Sequence, residues 1–161
     1  MKNFAFLSLL LIVSCTNSNN SINNNTKIVN STLDQWHLLA TNADIKYFDI
    51  IADSGIYIGT AQEEVWTKKE FITFSKPYFD KGKAWDFKPY ERNIYFNKDN
   101  NIAWFNEKLD TWMGICRGSG ILQKDIDGWK IYQYTLSITV PNEKTKEVVS
   151  VIDSTKNMTV H

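Results

Sequence analysis

Beyond Gly82 the hydrophobic period of the chain switches from that of a helix to two, and this switch constrains the fold most. Ala84–Phe96, Ile102–Met113, Gly114–Lys124 and Trp129–Val140 each alternate apolar and polar residues. NKDNN separates the first two, and DIDG the last two, both turn sequences. Four long strands with such short connections predict an antiparallel meander. Pro89 marks a kink or an edge position, and Pro141 ends the last strand.

The residues before the switch read as helical. Ser31 or Thr32 caps a run in which Leu33, Trp36, Ala40, Ala43, Tyr47 and Ile51 recur at three- and four-residue steps, which predicts a long helix ending before Gly55. A short strand, Ile56–Ile58, follows. Thr67 and Glu70 have the spacing of a capping box, opening a second helix to about Tyr78 with Phe71, Phe74 and Tyr78 on one stripe. Asn142 caps a short last helix through Ile152, with Val148, Val149 and Ile152 facing inward. The predicted class is therefore α+β, with helices packed on one face of a curved antiparallel sheet. Gly118 and Gly120 suit that curvature, and RGSG is no phosphate loop because no helix begins after it.

The start of the chain has a different character. Lys2 precedes the apolar run FAFLSLLLIV, too short to span a bilayer, which needs roughly 20 apolar residues. It leads into Ile12-Val13-Ser14-Cys15, which resembles a bacterial lipobox, so residues 1–15 are read as a lipoprotein signal with Cys15 as the lipidated residue. Residues 16–30, rich in Asn and Ser, read as a disordered tether; residues 31–153 are the domain and 154–161 a frayed tail. The expected location is the bacterial cell envelope, lipid-anchored on the periplasmic or outer-membrane side.

Composition excludes several chemistries. Acidic and basic residues balance at 18 each, leaving no basic excess for nucleic acid. With two histidines, His37 and His161, and two cysteines, Cys15 and Cys116, no His/Cys metal site is expected, nor any cofactor.

The candidate site is a line of polar residues on the last two strands. Arg117 and Ser119 share a face with Ile121; Gln133 and Thr135 share one with Trp129 and Ile131. A hollow lined by that face would take Arg117 inward, where Glu107 on the adjacent strand would offset its charge, either as an internal ion pair or beside an acidic ligand. Arg92 is a further basic candidate, expected to be exposed. His37, with Asp44 two turns along, is either a polar contact of the hollow or a boundary histidine bonded to backbone. Tyr47, Trp66 and Trp104 are candidates for its aromatic wall. Tyr132, Tyr134, Leu136 and Ile138 make the other face of the last strand apolar, predicting a homodimer through the outer sheet face.

WHLLATNADIKYF, IGTAQEEVW, AWFNEKLD, RGSGIL and GWKIYQYTLSITVPNE, spread from Leu33 to Glu143, resemble the SnoaL-like branch of the nuclear transport factor 2-like superfamily. The resemblance implies the cone-shaped (cystatin-like) roll with a pocket at its mouth, and often a dimer. Some members, such as ketosteroid isomerase and polyketide cyclases, are enzymes. Gly59 or a neighbour stands where the isomerase has its carboxylate base, Ala61 replaces an Asp of the usual pattern, and Phe105-Asn106-Glu107 departs from Phe-Asp-Glu. The leading expectation is thus a non-catalytic domain binding a small acidic or aromatic molecule. The alternatives are an isomerase, cyclase or hydrolase using Glu107 or Asp44 as base with Arg117 as electrostatic stabiliser, and an interaction scaffold of the envelope.

Overall fold

The period-two stretches are strands of one sheet. The structure, a computed structural model, describes residues 13–158 and the side chains of residues 21–154. Its elements are α1 (Val13–Thr41), a 3-10 helix (Ile45–Ile50), β1 (Ile51–Ile58), β2 (Val65–Thr67), α2 (Lys68–Phe79), β3 (Lys88–Phe96), β4 (Ile102–Thr111), β5 (Gly114–Asp125), β6 (Gly128–Ile138), a 3-10 turn (Asn142–Lys144) and α3 (Thr145–Met158). The six strands lie in the order β2-β1-β6-β5-β4-β3. The pairs β1–β2, β3–β4, β4–β5 and β5–β6 are antiparallel; β1 runs parallel to β6. The helical first half thus adds two strands to the predicted meander.

α1 and α2 cover the concave side. Leu33, Trp36, Tyr47, Phe71, Leu109, Leu122, Ile131 and Tyr134 are its most deeply buried apolar side chains. α2 begins with the predicted capping box: Thr67 and Glu70 satisfy each other's backbone N–H groups.

Four predicted boundaries change. The stretch 16–30 is helical rather than a tether, because Asn25 and Val29 continue the stripe of Leu33 and Trp36 two turns towards the N-terminus, and both are buried. The Asn25 side chain donates to the Asn100 carbonyl at 3.2 Å, so its burial is satisfied. At the other end α1 stops at Thr41. Ala43 takes a left-handed conformation (φ 50°), and the Asp44 N–H reaches back to the Leu39 carbonyl at 2.9 Å, closing the helix. Tyr47 then lies in the 3-10 helix and Ile51 in β1. α3 continues through Met158, beyond the predicted frayed point, and does not turn its apolar residues inward. Val149 and Ile152 are about half exposed, and α3 packs on the preceding 3-10 turn. The signal-like residues 1–12 and His161 lie outside the described residues.

Candidate functional site

Two local devices decide which side chains enter the cone. The first is glycine. On β5, Cys116, Gly118, Gly120 and Leu122 face the concave side, while Arg117, Ser119 and Ile121 face outward. A Cβ on Gly118 would lie 2.6 Å from the Tyr134 hydroxyl and 3.1 Å from Glu107 Oε1; one on Gly120 would lie 2.3 Å from the Gln133 carbonyl oxygen. The inward face of β5 therefore carries glycine where bulk is excluded, and the sequence shows only its polar outer face. The second device is a bulge on β6. Leu122 pairs with Ile131 and Ile121 with Gln133, which leaves Tyr132 as the extra residue. Trp129 and Ile131 point inward, and inward burial resumes at Tyr134 and Leu136 instead of Gln133 and Thr135.

The predicted Arg117 pocket is thereby overturned. Arg117 and Gln133 are exposed and Ser119 half-buried, all on the convex side. Trp104 is 46% exposed there as well. The opposite face of β6 is not a second apolar surface, since Tyr134 and Leu136 belong to the core.

What enters the cone is a different set. Glu107 follows Phe105 and precedes Leu109 on the inward face of β4, and it is fully buried. His37 Nε2 lies 2.7 Å from its Oε1, and Arg92 Nε donates to its Oε2 at 2.7 Å. Arg92, expected outside, is turned in by a bulge: Tyr90 pairs with Lys108 and Asn93 with Asn106, so two residues of β3 oppose Glu107. Glu91 takes the left-handed conformation (φ 48°) that the bulge requires. Arg92 Nη1 also donates to Asp34 Oδ1 at 2.7 Å and to the Asn30 carbonyl at 3.1 Å. His37 is thus bonded to a carboxylate, not to backbone, and the chain Asp34–Arg92–Glu107–His37 pins α1 to the sheet. Burial alone would raise the Glu107 pKa. The hydrogen bond and charge of His37 and the charge of Arg92 outweigh it and hold the carboxyl below its ordinary value.

Around this pair stand buried polar atoms without a hydrogen-bond partner: Trp36 Nε1, the Tyr47 and Tyr134 hydroxyls, and Arg92 Nη2. The rings form one cluster. Trp36 stacks on Tyr47 at 4.8 Å, meets Tyr134 edge-on at 4.6 Å, and lies 5.3 Å from His37. Burial, with the nearby Tyr57, raises the pKa of both Tyr47 and Tyr134, so both phenols stay protonated at neutral pH. The Trp85 indole tempers the shift of Tyr47 without standing in hydrogen-bond geometry to its hydroxyl. Asp44 is not part of the site: its carboxylate accepts from the Lys46 N–H at 2.9 Å and caps the 3-10 helix. Trp66 is half-buried at the sheet edge, stacked on Phe74 at 4.4 Å. No cluster of metal-ligating side chains occurs among the described residues.

His37, Tyr47, Arg92 and Glu107 of the predicted set come together; Asp44, Trp66, Trp104, Arg117, Ser119 and Gln133 do not join them. Trp36 and Tyr134 were missed. Their signal was apolar periodicity, which does not distinguish a core ring from a ring whose polar end is unmet.

The family model described as the SnoaL-like domain matches residues 29–141. Solved structures share the fold. An NTF2-like protein with a cystatin-like fold from Novosphingobium aromaticivorans is 8% identical with a TM-score of 0.62, over 81% of this chain and 92% of that one. A candidate dehydratase of the NTF2-like family from Streptomyces avermitilis is 10% identical with a TM-score of 0.62, over 74% and 99%. A candidate ketosteroid isomerase from Parabacteroides distasonis is 18% identical with a TM-score of 0.57, over 70% and 86%. Among proteins with curated descriptions none matches. A match over most of the described domain, on a curved six-stranded sheet with two helices on its concave face, places the chain in the SnoaL-like domain family, within the NTF2-like superfamily.

Proposed function

We propose that this SnoaL-like domain is a binding module, held at the cell envelope by a lipid on Cys15, whose cone interior takes a small flat molecule carrying a neutral hydrogen-bond acceptor such as a carbonyl. The unpartnered buried groups of Trp36, Tyr47, Tyr134 and Arg92 carry the proposal. An indole or guanidinium N–H can only donate, and a protonated phenol donates readily, so each of them calls for an acceptor. A buried polar group left unmet costs about 1–3 kcal/mol, and an acceptor that meets several recovers much of that. Arg92 is already faced by Glu107 and Asp34, so a third anion is unwelcome there and a neutral acceptor fits better.

Catalysis is the weaker reading. Glu107, hydrogen-bonded by His37 and Arg92 and held below its usual pKa, is a poor proton acceptor, and neither Asp44 nor Arg117 reaches it. The lipid on Cys15 rests on the lipobox-like sequence, and each buried CH₂ of an acyl chain contributes about 0.8 kcal/mol to anchoring. The test is a native mass spectrum of the protein purified from its own cell. A small-molecule adduct lost from a Tyr134→Phe variant is expected. The bare polypeptide mass in both would contradict the proposal.

A further inference from the structure

We infer that one end of the sheet is a lipid-contact surface with Ile126 as its apolar tip, an inference that rests on the proposed lipid at Cys15. Three pieces of chain meet at that end. The Lys124 N–H donates to the Asn101 carbonyl at 2.8 Å, so the turn between β3 and β4 lies beside the turn between β5 and β6. The Asn25 side chain bonds the Asn100 carbonyl, and Lys27 and Ile28 share a surface cleft with Asp127 and Gly128. α1 therefore crosses the end of the sheet at residues 25–28. His37, about three turns along, lies at Glu107 in the middle of β4, so the other direction along α1 leads off the sheet towards Cys15.

Apolar side chains stand at this end where packing does not call for them. Ile126 is 96% exposed in a two-residue turn, a place that favours small polar residues. Ile22 continues the core stripe of Asn25, Val29 and Leu33 one turn past the sheet and is 37% exposed. Ile28 is 42% exposed beside the turn that carries Ile126. Cys15 precedes Ile22 by seven residues of the same helix. That is about 10 Å along the axis, comparable with the depth to which apolar side chains enter the headgroup layer. An acyl chain on Cys15 brings the three isoleucines within reach of that layer.

The charges around them decide which lipid fits. Lys27, Lys98 and Lys124 are balanced by Asp99, Asp125 and Asp127, and Lys130, bonded to the Asp49 carbonyl at 2.7 Å, adds one charge of each sign. A balanced surface gains nothing from anionic lipid, so the partner is a zwitterionic bilayer entered by side chains. A second copy is a poorer fit, since the centre of a stable interface is depleted of charge. Trp112, 86% exposed in the turn between β4 and β5, lies at the far end of both strands and faces away from the bilayer in this orientation.

The test is hydrogen exchange on the protein from Cys15 onward, which keeps the whole matched domain, coupled through the Cys15 thiol to maleimide lipid in phosphatidylcholine vesicles. Cys116 is fully buried and stays unreacted. Exchange across residues 97–101 and 124–128 is expected to slow at least twofold against the same chain capped with N-ethylmaleimide, and to slow no further when phosphatidylglycerol is mixed in. Ile126→Asp should abolish the slowing and Trp112→Asp should leave it. Unchanged exchange in both turns overturns the proposal, as does slowing that needs phosphatidylglycerol. Slowing of the capped chain as its concentration rises, the mark of a second copy, overturns it too. Acylation of Cys15 is read separately, from the intact mass of the protein in its own cell, so failure of the anchor and failure of the contact are told apart.

Discussion

Glu107 is the one acid fully buried among the described residues, and its two partners come from opposite sides, His37 from α1 and Arg92 from β3. Removing a single member of such a cluster strands the others. Glu107→Gln is expected to cost about 3 kcal/mol in chemical denaturation, because Arg92 loses its buried counter-charge. The acid limb of stability follows from the lowered carboxyl. The unfolded chain takes up this proton near the ordinary glutamate value of 4.5, the folded chain only at lower pH, so the stabilisation is complete above about 4.5 and is lost as pH falls through the folded value. Stability curves from pH 6 to 3 are expected to show a shallower acid limb in Glu107→Gln than in the parent. The glycines can be tested in the same way. Gly118→Ala drives a methyl into the Tyr134 hydroxyl and is expected to cost about 1–3 kcal/mol, whereas Ser119→Ala on the convex side should stay within about 0.5 kcal/mol. Glu107 was legible in the sequence by parity, through Phe105–Glu107–Leu109, whereas Arg92, expected to be exposed, lies on the inward side with Ile94 and Phe96. Arg117 was misplaced because the residues that face the cone beside it have no side chains to betray them.

At the scale of elements, helices were harder to delimit than strands. The four long strands were readable to within a few residues, since alternation repeats at every second position and the turns between them are explicit. The beginning of α1 was hidden by composition. Asparagine and serine dominate residues 16–30, and only Asn25 and Val29 show that this stretch packs. Val29→Ala is expected to destabilise the protein by about 2 kcal/mol; a flexible tether would register no change. The start of β1 was hidden because the register shift between Ile51 and Ile56 breaks its alternation, with Gly55 packed too closely on the Ile51 side chain and the Ala52 carbonyl for a side chain of its own. α3 presents the opposite case, a helix with correct periodicity and exposed apolar residues. Hydrogen exchange is expected to be slow across residues 25–41 and fast across 145–158, and slow exchange in α3 would show that it is held by contacts of its own.

The whole molecule presents two different surfaces on one sheet. The concave side is a ring-packed interior that holds a carboxylate paired with His37 and Arg92 and several buried polar atoms without a partner. The convex side is an open array of aromatic, amide and cationic rows. The polar line formed by Arg117, Ser119, Gln133 and Thr135 belongs to the second, and its chemistry is that of a surface. Trp36 places one indole reporter inside the cone and Trp104 another on the convex face. The most direct measurement is therefore the ¹⁵N-edited NMR spectrum of the six tryptophan indoles, recorded as the low-molecular-weight extract of the source cell is added. A downfield shift of the Trp36 indole proton, with Trp104 unmoved by the same fraction and the shift lost in Tyr134→Phe, is the expected result. A Trp36 signal that stays in place with every fraction would contradict a ligand in the cone.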